Sequence, residues 1–218
     1  MPQPFDQSTY QVRLEWGVAG LERLAPADVV VVVDVLRFSS TVTDTVAAGE
    51  SVDLETAIGW SANGAAVTRA AGAETVLIGC LRNASAVARA VAALQDRRQR
   101  RTSVAVIAAG ERASDGGLRF AVEDHLGAGA IIAALSDLGI DHTSPEAAAA
   151  CESARGLRRA LRHLLAASGS GRELTDGVAV TARIAASGLT PTTTQQAAEI
   201  DATDVVPVLR DGGFVPFV

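Results

Sequence analysis

Five consecutive valines at residues 29–33 constrain the fold of this chain more than any other feature. A strand with one face in solvent alternates apolar and polar residues, whereas this run leaves neither face polar. It therefore predicts a strand that is buried on both faces, which is typical of a parallel sheet covered by helices. We place this central strand at residues 28–35, where it ends in Asp34 and is followed by Arg37.

Other apolar segments alternate with helical ones along the chain. Strands are predicted at residues 9–16, 75–80, 103–109 and 204–209. Helices are predicted at residues 39–48, 65–71, 84–94, 121–138, 144–167 and 172–187, with a short helix or turn at 17–24. This alternation predicts an α/β fold, in which a layered, parallel-rich sheet is flanked by helices.

The segments between these elements carry turn and loop residues. Asn63-Gly64 is a turn signal. Residues 168–171 (Ser-Gly-Ser-Gly) are typical of a flexible link, and the threonine-rich residues 189–196 are typical of a surface loop.

Length bounds the organisation of the chain. A length of 218 residues fits one α/β domain over residues 1–218, or two small lobes at roughly 1–140 and 141–218. A homodimer is compatible with this size.

Composition and charge exclude several classes of protein. The net charge of −6 and the pI of about 5.1 argue against a general nucleic-acid binder, which needs a basic face. No apolar run is long enough to span a membrane, and the N-terminal residues lack the basic-then-apolar pattern of a signal peptide. We therefore expect a cytoplasmic protein without membrane association. Cys80 and Cys151 make no metal or disulfide pattern and are expected to be buried free thiols.

The residues after the central strand suit a site for a metal and a phosphate. In an open α/β sheet, ligands lie beyond the carboxyl ends of the strands, and the next helix offers free N–H groups there to an anion. Asp34 is an oxygen ligand of the kind that a divalent metal prefers, and Arg37 can bind phosphoryl oxygens. Further donor hydroxyls follow at Ser39, Ser40 and Thr41. The structural alternative is simple helix capping by the same side chains.

Seven short segments, taken together, carry a resemblance to a known family. They are residues 34–41, 63–64, 79–84, 109–112, 115–119, 121–130 and 204–208. In their order and spacing they resemble the motifs of the 2-phosphosulfolactate phosphatase family, mainly over residues 28–138. The resemblance implies a magnesium-dependent phosphatase with an α/β fold, which hydrolyses 2-phosphosulfolactate to sulfolactate and phosphate in coenzyme M biosynthesis. The implied partner is a small phosphorylated acid.

The resemblance also suggests roles for individual residues. Those expected in catalysis are Asp34, Arg37, Glu123 and Asp124, and the carboxylates among them are the expected Mg²⁺ ligands: Asp34, Glu123 and Asp124. Those expected to bind substrate or phosphate are Ser39, Ser40, Thr41, Asn63, Gly64, Asn83, Glu111 and Arg112. Asp34 could instead be a covalent nucleophile. Haloacid-dehalogenase-type phosphatases carry Asp-x-Asp, however, and residue 36 is Leu, which favours a metal ligand.

Structural explanations compete with several of these roles. Glu123 and Asp124 lie in the first turn of a predicted helix, where the helix dipole favours acidic residues. Glu111 and Arg112 could form a surface ion pair, and Asn83 could be only a helix N-cap.

Two other functions stay open at this point. Residues 42–62 form a shorter segment than the family normally has between its first motif and the Asn-Gly turn. A catalytically weak relative that binds a phosphorylated metabolite is therefore the main alternative. A nucleotide-binding α/β module is the third, although the chain has neither Gly-x-Gly-x-x-Gly after a strand nor a Walker-type loop.

Overall fold

A seven-stranded sheet with helices on both faces forms the centre of the protein. The computed structural model describes residues 3–175, 177 and 179–218. The strands are β1 (Val12–Trp16), β2 (Val29–Val33), β3 (Val52–Asp53), β4 (Thr75–Gly79), β5 (Val104–Ala108), β6 (Glu111–Arg112), β7 (Leu118–Arg119), β8 (Pro207–Arg210) and β9 (Gly213–Pro216). The helices are α1 (Gly17–Arg23), α2 (Phe38–Ala47), α3 (Leu54–Ile58), α4 (Gly64–Ala70), α5 (Ala84–Arg98), α6 (Val122–Asp137), α7 (Pro145–Leu157), α8 (Leu161–Ala167), α9 (Gly169–Thr175), α10 (Ala179–Ala186) and α11 (Thr194–Ala197).

The sheet has a parallel half and an antiparallel half. Its strand order is β1-β5-β2-β4-β8-β9-β3. The first four strands in this order are parallel, with Val33 of β2 level with Ala108 of β5 and with Gly79 of β4. The last three strands pair antiparallel to their neighbours. β6 and β7 form a separate two-stranded hairpin. The predicted α/β fold with a parallel-rich sheet is thus confirmed.

The five valines of β2 are buried on both faces, as their run predicts. Val29, Val31 and Val33 belong to the apolar core on the side of α5 and α6. Val30 and Val32 belong to the core on the other side, with Phe38 of α2. Since each face of β2 meets a layer of helices, no position along the strand tolerates a polar side chain.

Two predictions about loops are wrong. Residues 168–171 are not a link, because α9 begins at Gly169 and Ser170 is buried. A Cβ atom on Gly171 would lie 1.9 Å from the Leu165 carbonyl oxygen, so glycine is needed there for close packing rather than for flexibility. Residues 189–196 are not wholly a surface loop, because Thr192 is buried and its hydroxyl donates to Asp44 at 2.7 Å.

The long helix predicted at residues 144–167 is interrupted. It divides into α7 and α8 with a short 3-10 turn between them at Arg158–Ala160. The helix predicted at 172–187 contains a turn at residue 177, between α9, which ends at Thr175, and α10, which begins at Ala179. Residues 176 and 178 of this prediction lie outside the described residues. Gly64 begins α4, so Asn63-Gly64 is a helix start rather than a free turn. Within the described ranges, no helix is both long and apolar enough to cross a membrane.

Candidate active site

Polar side chains converge where β2 and β5 end. These strands are parallel neighbours in register, so the residues that follow them meet at one edge of the sheet. Asp34 directly follows β2, and Glu111 lies three residues after β5. The first turn of α6 brings Glu123 and Asp124 to the same edge, where both are buried. The arrangement is the one expected from polar residues at the ends of parallel strands.

Asp34 is held by two backbone N–H groups. Its Oδ1 accepts from Phe38 at 3.3 Å, and its Oδ2 accepts from Gly64 at 2.9 Å. A Cβ atom on residue 64 would lie 2.7 Å from Asp34 Oδ2, so only glycine permits this approach. Burial raises the pKa of Asp34 to about 7 against the opposing effect of these two bonds, and the charges of Glu111 and Glu123 raise it further. Asp34 therefore exchanges a proton near neutral pH.

Asp124 forms hydrogen bonds to two loops. Its Oδ1 accepts the N–H of Val35 at 2.7 Å, and its Oδ2 accepts the N–H of Gly110 at 2.9 Å. Burial raises the pKa of Asp124 well above its usual range, and Asp34 and Glu123 add to this effect. Asp124 thus positions the loops that follow β2 and β5.

A hydroxyl joins the two glutamates of the site. The Ser170 hydroxyl contacts Oε1 of Glu123, to which it donates, and lies 3.4 Å from Oε2 of Glu111. Asn63 Nδ2 donates to Oε1 of Glu111 at 3.3 Å. Residues from α4, the β6–β7 hairpin, α6 and α9 are therefore linked by one polar network beside Asp34.

Arg37 is a cation buried at the candidate site. It is 8% exposed, and its Nε has no hydrogen-bond partner among the described residues. Burial lowers the pKa of Arg37. Arg37 lines a cavity of about 140 Å³ together with Asp34, Asn63, Glu111 and Ser170. Burying a cation without an anion is costly, so this cavity is suited to a negatively charged ligand.

Several predicted phosphate ligands are directed elsewhere. The Ser39 hydroxyl donates to the Val32 carbonyl at 3.2 Å and accepts the N–H of Asp34 at 2.9 Å. The Ser40 hydroxyl donates to the Val35 carbonyl at 2.8 Å. These side chains are fully buried and hold the loop after β2 in shape.

Two further predicted ligands also lie in the structural framework. The Thr41 hydroxyl oxygen accepts the N–H of Thr192 at 3.3 Å. The Asn83 amide donates to the carbonyls of Ile78 at 3.2 Å and Val205 at 3.1 Å, which joins the end of β4 to the segment before β8. Neither residue lines the cavity that holds Arg37.

Gly64 and Arg112 differ from their expected roles in other ways. The Gly64 N–H is occupied by Asp34, so it is a support of the carboxylate. Arg112 lies on the exposed hairpin, lines a neighbouring larger cavity and donates its backbone N–H to Glu111 at 2.8 Å. No ion pair joins Glu111 to Arg112 within the described part of the chain.

The structure adds residues that sequence reasoning missed. The cavity is also lined by Trp60, Ser170, Glu173, Leu174 and Arg183. The Ser-Gly-Ser-Gly composition around Ser170 resembles a linker, and Trp60 lies in a segment without clear periodicity. No local sequence signal distinguishes Ser170 or Trp60 from a surface residue, because tertiary packing alone brings both to the cavity.

The acidic residues provide ligands for part of a cation shell. Asp34, Glu111 and Glu123 offer carboxylate oxygens, and the charges that act on Asp34 are those of the two glutamates. In the ranges that the structure describes, no group of three or more His, Cys, Asp or Glu side chains is arranged to hold a metal ion by itself. Mg²⁺ commonly uses one or two carboxylates and completes its shell with waters and phosphate oxygens. The donor chemistry therefore fits Mg²⁺ as a partial shell.

Comparison with known proteins gives one family. A family model described as 2-phosphosulpholactate phosphatase matches residues 46–212 of the 218-residue chain. The matched segment includes Asn63, Glu111, Glu123 and Ser170 but begins after Asp34 and Arg37. No curated protein matches the chain.

Proposed function

The chain belongs to the 2-phosphosulpholactate phosphatase family, and from this premise we propose that it is a magnesium-dependent phosphatase acting on a small acidic phosphoester. The proposed substrate is 2-phosphosulfolactate or a similar ester, which is hydrolysed to the hydroxy acid and phosphate. One observation carries the proposal: Arg37, a buried guanidinium whose Nε has no partner among the described residues, faces the same cavity as Asp34.

Arg37 binds the phosphoryl group in this proposal. A phosphomonoester carries the negative charge that the buried guanidinium lacks, and a planar guanidinium can hold two phosphoryl oxygens at once. Phosphoryl transfer depends mainly on positioning and on neutralising charge. A cation that binds the phosphoryl group therefore contributes directly to the rate.

Glu111 and Glu123 are the proposed magnesium ligands, with Asp34 beside them. The sequence suggests phosphate binding by Glu111, but a carboxylate repels a phosphate unless a cation lies between them. Glu111 is therefore assigned to the metal instead. Asp124 is removed from the predicted ligand set, because Asp124 lines neither the cavity of Asp34 nor the adjoining cavity of Glu123, and its two oxygens hold the loops. Bound Mg²⁺ would neutralise charge on the phosphoryl oxygens.

Asp34 is the proposed general base. Its pKa of about 7 suits a carboxylate that takes a proton from water at neutral pH. As the water oxygen bonds to phosphorus, the P–O bond to the hydroxy acid breaks, and the proton on Asp34 becomes available to the leaving oxygen. A covalent aspartyl intermediate is disfavoured, because residue 36 is Leu where haloacid-dehalogenase-type phosphatases carry the second Asp of Asp-x-Asp.

A binding function without turnover is the second candidate. It is favoured by the incomplete set of metal ligands, since the described residues form no group of three or more side chains that could hold a metal ion. The two candidates share Arg37 and the cavity, and they differ in whether the bound ester is hydrolysed.

Phosphate release tests the choice between them. A panel of small phosphoesters, including 2-phosphosulfolactate and 2-phospholactate, is incubated with the protein in Mg²⁺ and in EDTA. We expect release that requires Mg²⁺ and is lost in Asp34→Asn. Binding of the esters without release, in folded protein, would support the second candidate. Full metal-dependent activity in Asp34→Asn would contradict the role given to Asp34.

A further inference from the structure

A larger cavity opens beside the proposed active site. It has a volume of about 620 Å³ and shares Asn63 and Glu111 with the smaller cavity that contains Arg37. We infer that it receives an apolar, ring-bearing group of the substrate. The chain would then prefer acidic phosphoesters larger than a three-carbon acid. This inference rests on the proposed function and specifies its substrate class.

The two volumes argue for a substrate in two parts. A space of about 140 Å³ holds a phosphoryl group and few further atoms, since one water occupies about 30 Å³ of liquid. The adjoining 620 Å³ lies within the roughly 300–1,000 Å³ of pockets that bind drug-sized ligands. A phosphorylated three-carbon acid would leave most of this space to water.

Two aromatic side chains line the wall of the larger cavity. The rings of Trp16 and Phe120 lie 5.0 Å apart, and the ring of His125, which does not line the cavity, lies 5.3 Å from the Phe120 ring. Phe120 is 56% exposed and Leu118 is 54% exposed, although both are large and apolar. Covering such a patch with an apolar group is favourable, because it removes apolar surface from water. A ring can also stack on the exposed face of Phe120.

One hairpin connects this wall to the catalytic residues. Glu111 of β6 pairs with Arg119 of β7, and Arg112 pairs with Leu118. Glu111 therefore lines the small cavity, while Leu118 and the adjacent Phe120 line the large one. Arg112 adds a positive charge to the same wall, which suits an acidic substrate. A group bound against Phe120 would thus be held in fixed relation to Glu111.

A matched pair of esters tests the inference. 2-Phospholactate and 2-phospho-3-phenyllactate share the phosphoester and the carboxylate and differ by one phenyl ring. We expect kcat/KM with Mg²⁺ to be at least about tenfold higher for the phenyl ester, the lower end of what pocket contacts typically discriminate. Phe120→Ala should reduce this ratio, and because Phe120 is exposed the variant should fold.

Leu138→Ala provides the control. Leu138 is 50% exposed and lies just beyond the far end of α6, whereas Phe120 lies just before its start. The control should keep the wild-type ratio. Equal or poorer hydrolysis of the phenyl ester, with 2-phospholactate hydrolysed, would overturn the inference and leave the proposed function intact. A ratio unchanged by Phe120→Ala would overturn it too. Release from neither ester would contradict the proposed function itself.

Discussion

The Asp124 carboxylate accepts the backbone N–H of Val35 at 2.7 Å, one residue after Asp34. Its second oxygen accepts the N–H of Gly110, one residue before Glu111. A single buried side chain therefore fixes the positions of two carboxylates that come from different strands. Asp124 acts on the site through the backbone, which explains why it lies close to Asp34 without lining the cavity.

The crowded carboxylates predict a pH-dependent stability. The pKa of Asp34 rises from an ordinary 3.8 to about 7 in the folded protein. Between these values the unfolded chain loses a proton that the folded chain keeps, so the contribution of Asp34 to stability falls as pH rises from about 4 to about 7. Asp34→Asn should remove this loss of stability, because asparagine does not ionise. In EDTA, the free energy of unfolding of the variant should therefore rise relative to wild type over that range.

Urea unfolding at several pH values measures this difference. Asp53→Asn, at an exposed position with no side-chain capping bond, controls for the substitution itself. A constant difference in unfolding free energy between wild type and Asp34→Asn from pH 4 to pH 8 would show that Asp34 ionises as it does in the unfolded chain.

Ser39→Ala should affect stability rather than substrate binding. The Ser39 hydroxyl accepts the buried N–H of Asp34 at 2.9 Å, and alanine would leave that N–H without an acceptor. The expected cost is about 1–3 kcal/mol of unfolding free energy. KM for the phosphoester should stay near its wild-type value, because the hydroxyl is turned toward backbone groups.

Steady-state kinetics and urea unfolding check this prediction together. Ser153→Ala is the matched control, since that exposed hydroxyl bonds only within its own helix and its loss should change stability by no more than about 0.5 kcal/mol. A raised KM with unchanged stability in Ser39→Ala would return Ser39 to the role of phosphate ligand.

Two helical glycines should respond oppositely to alanine. A Cβ atom on Gly129 of α6 would lie 2.1 Å from the Ala150 carbonyl oxygen of α7, so Gly129→Ala should destabilise the protein by about 1–3 kcal/mol or more. A Cβ atom on Gly156 of α7 meets nothing within 4 Å, so Gly156→Ala should stabilise it by about 0.4–1 kcal/mol. Thermal unfolding of the two variants measures both effects. Equal responses would mean that α6 and α7 do not approach as closely as described.

Much of the fold is predictable from hydrophobic pattern. The valine run of β2 allows no polar face, and the apolar segments at β4 and β5 repeat that pattern, so a buried parallel sheet follows directly. Helix breaks are less predictable. The only breaker near the division between α7 and α8 at residues 158–160 is Gly156, a single glycine that a helix can tolerate, and apolar spacing alone favours one continuous helix.

The site is predictable in part, for a physical reason. Strand ends in a parallel sheet must meet, so Asp34 and Glu111 are brought together by topology. The direction of a hydroxyl is not determined by topology. The Ser39 hydroxyl donates to a carbonyl of β2, that of Val32, and the Ser40 hydroxyl donates to the Val35 carbonyl in the loop after the strand. Ser170 reaches the site only because Gly171 permits α9 to pack against the Leu165 carbonyl, a contact with no local sequence signal.

The central claim is that the cavity around Arg37 hydrolyses a phosphoester, and phosphate release by Arg37→Met tests it most directly. Release from 2-phosphosulfolactate with Mg²⁺ is compared in wild type, Arg37→Met and the control Arg69→Met, which removes an exposed cation paired with Glu55. Because the Arg37 Nε has no partner among the described residues, Arg37→Met should unfold at or above the wild-type temperature. Its kcat/KM should fall by about 10²–10³ while the control keeps its activity. Wild-type turnover in folded Arg37→Met would contradict the account.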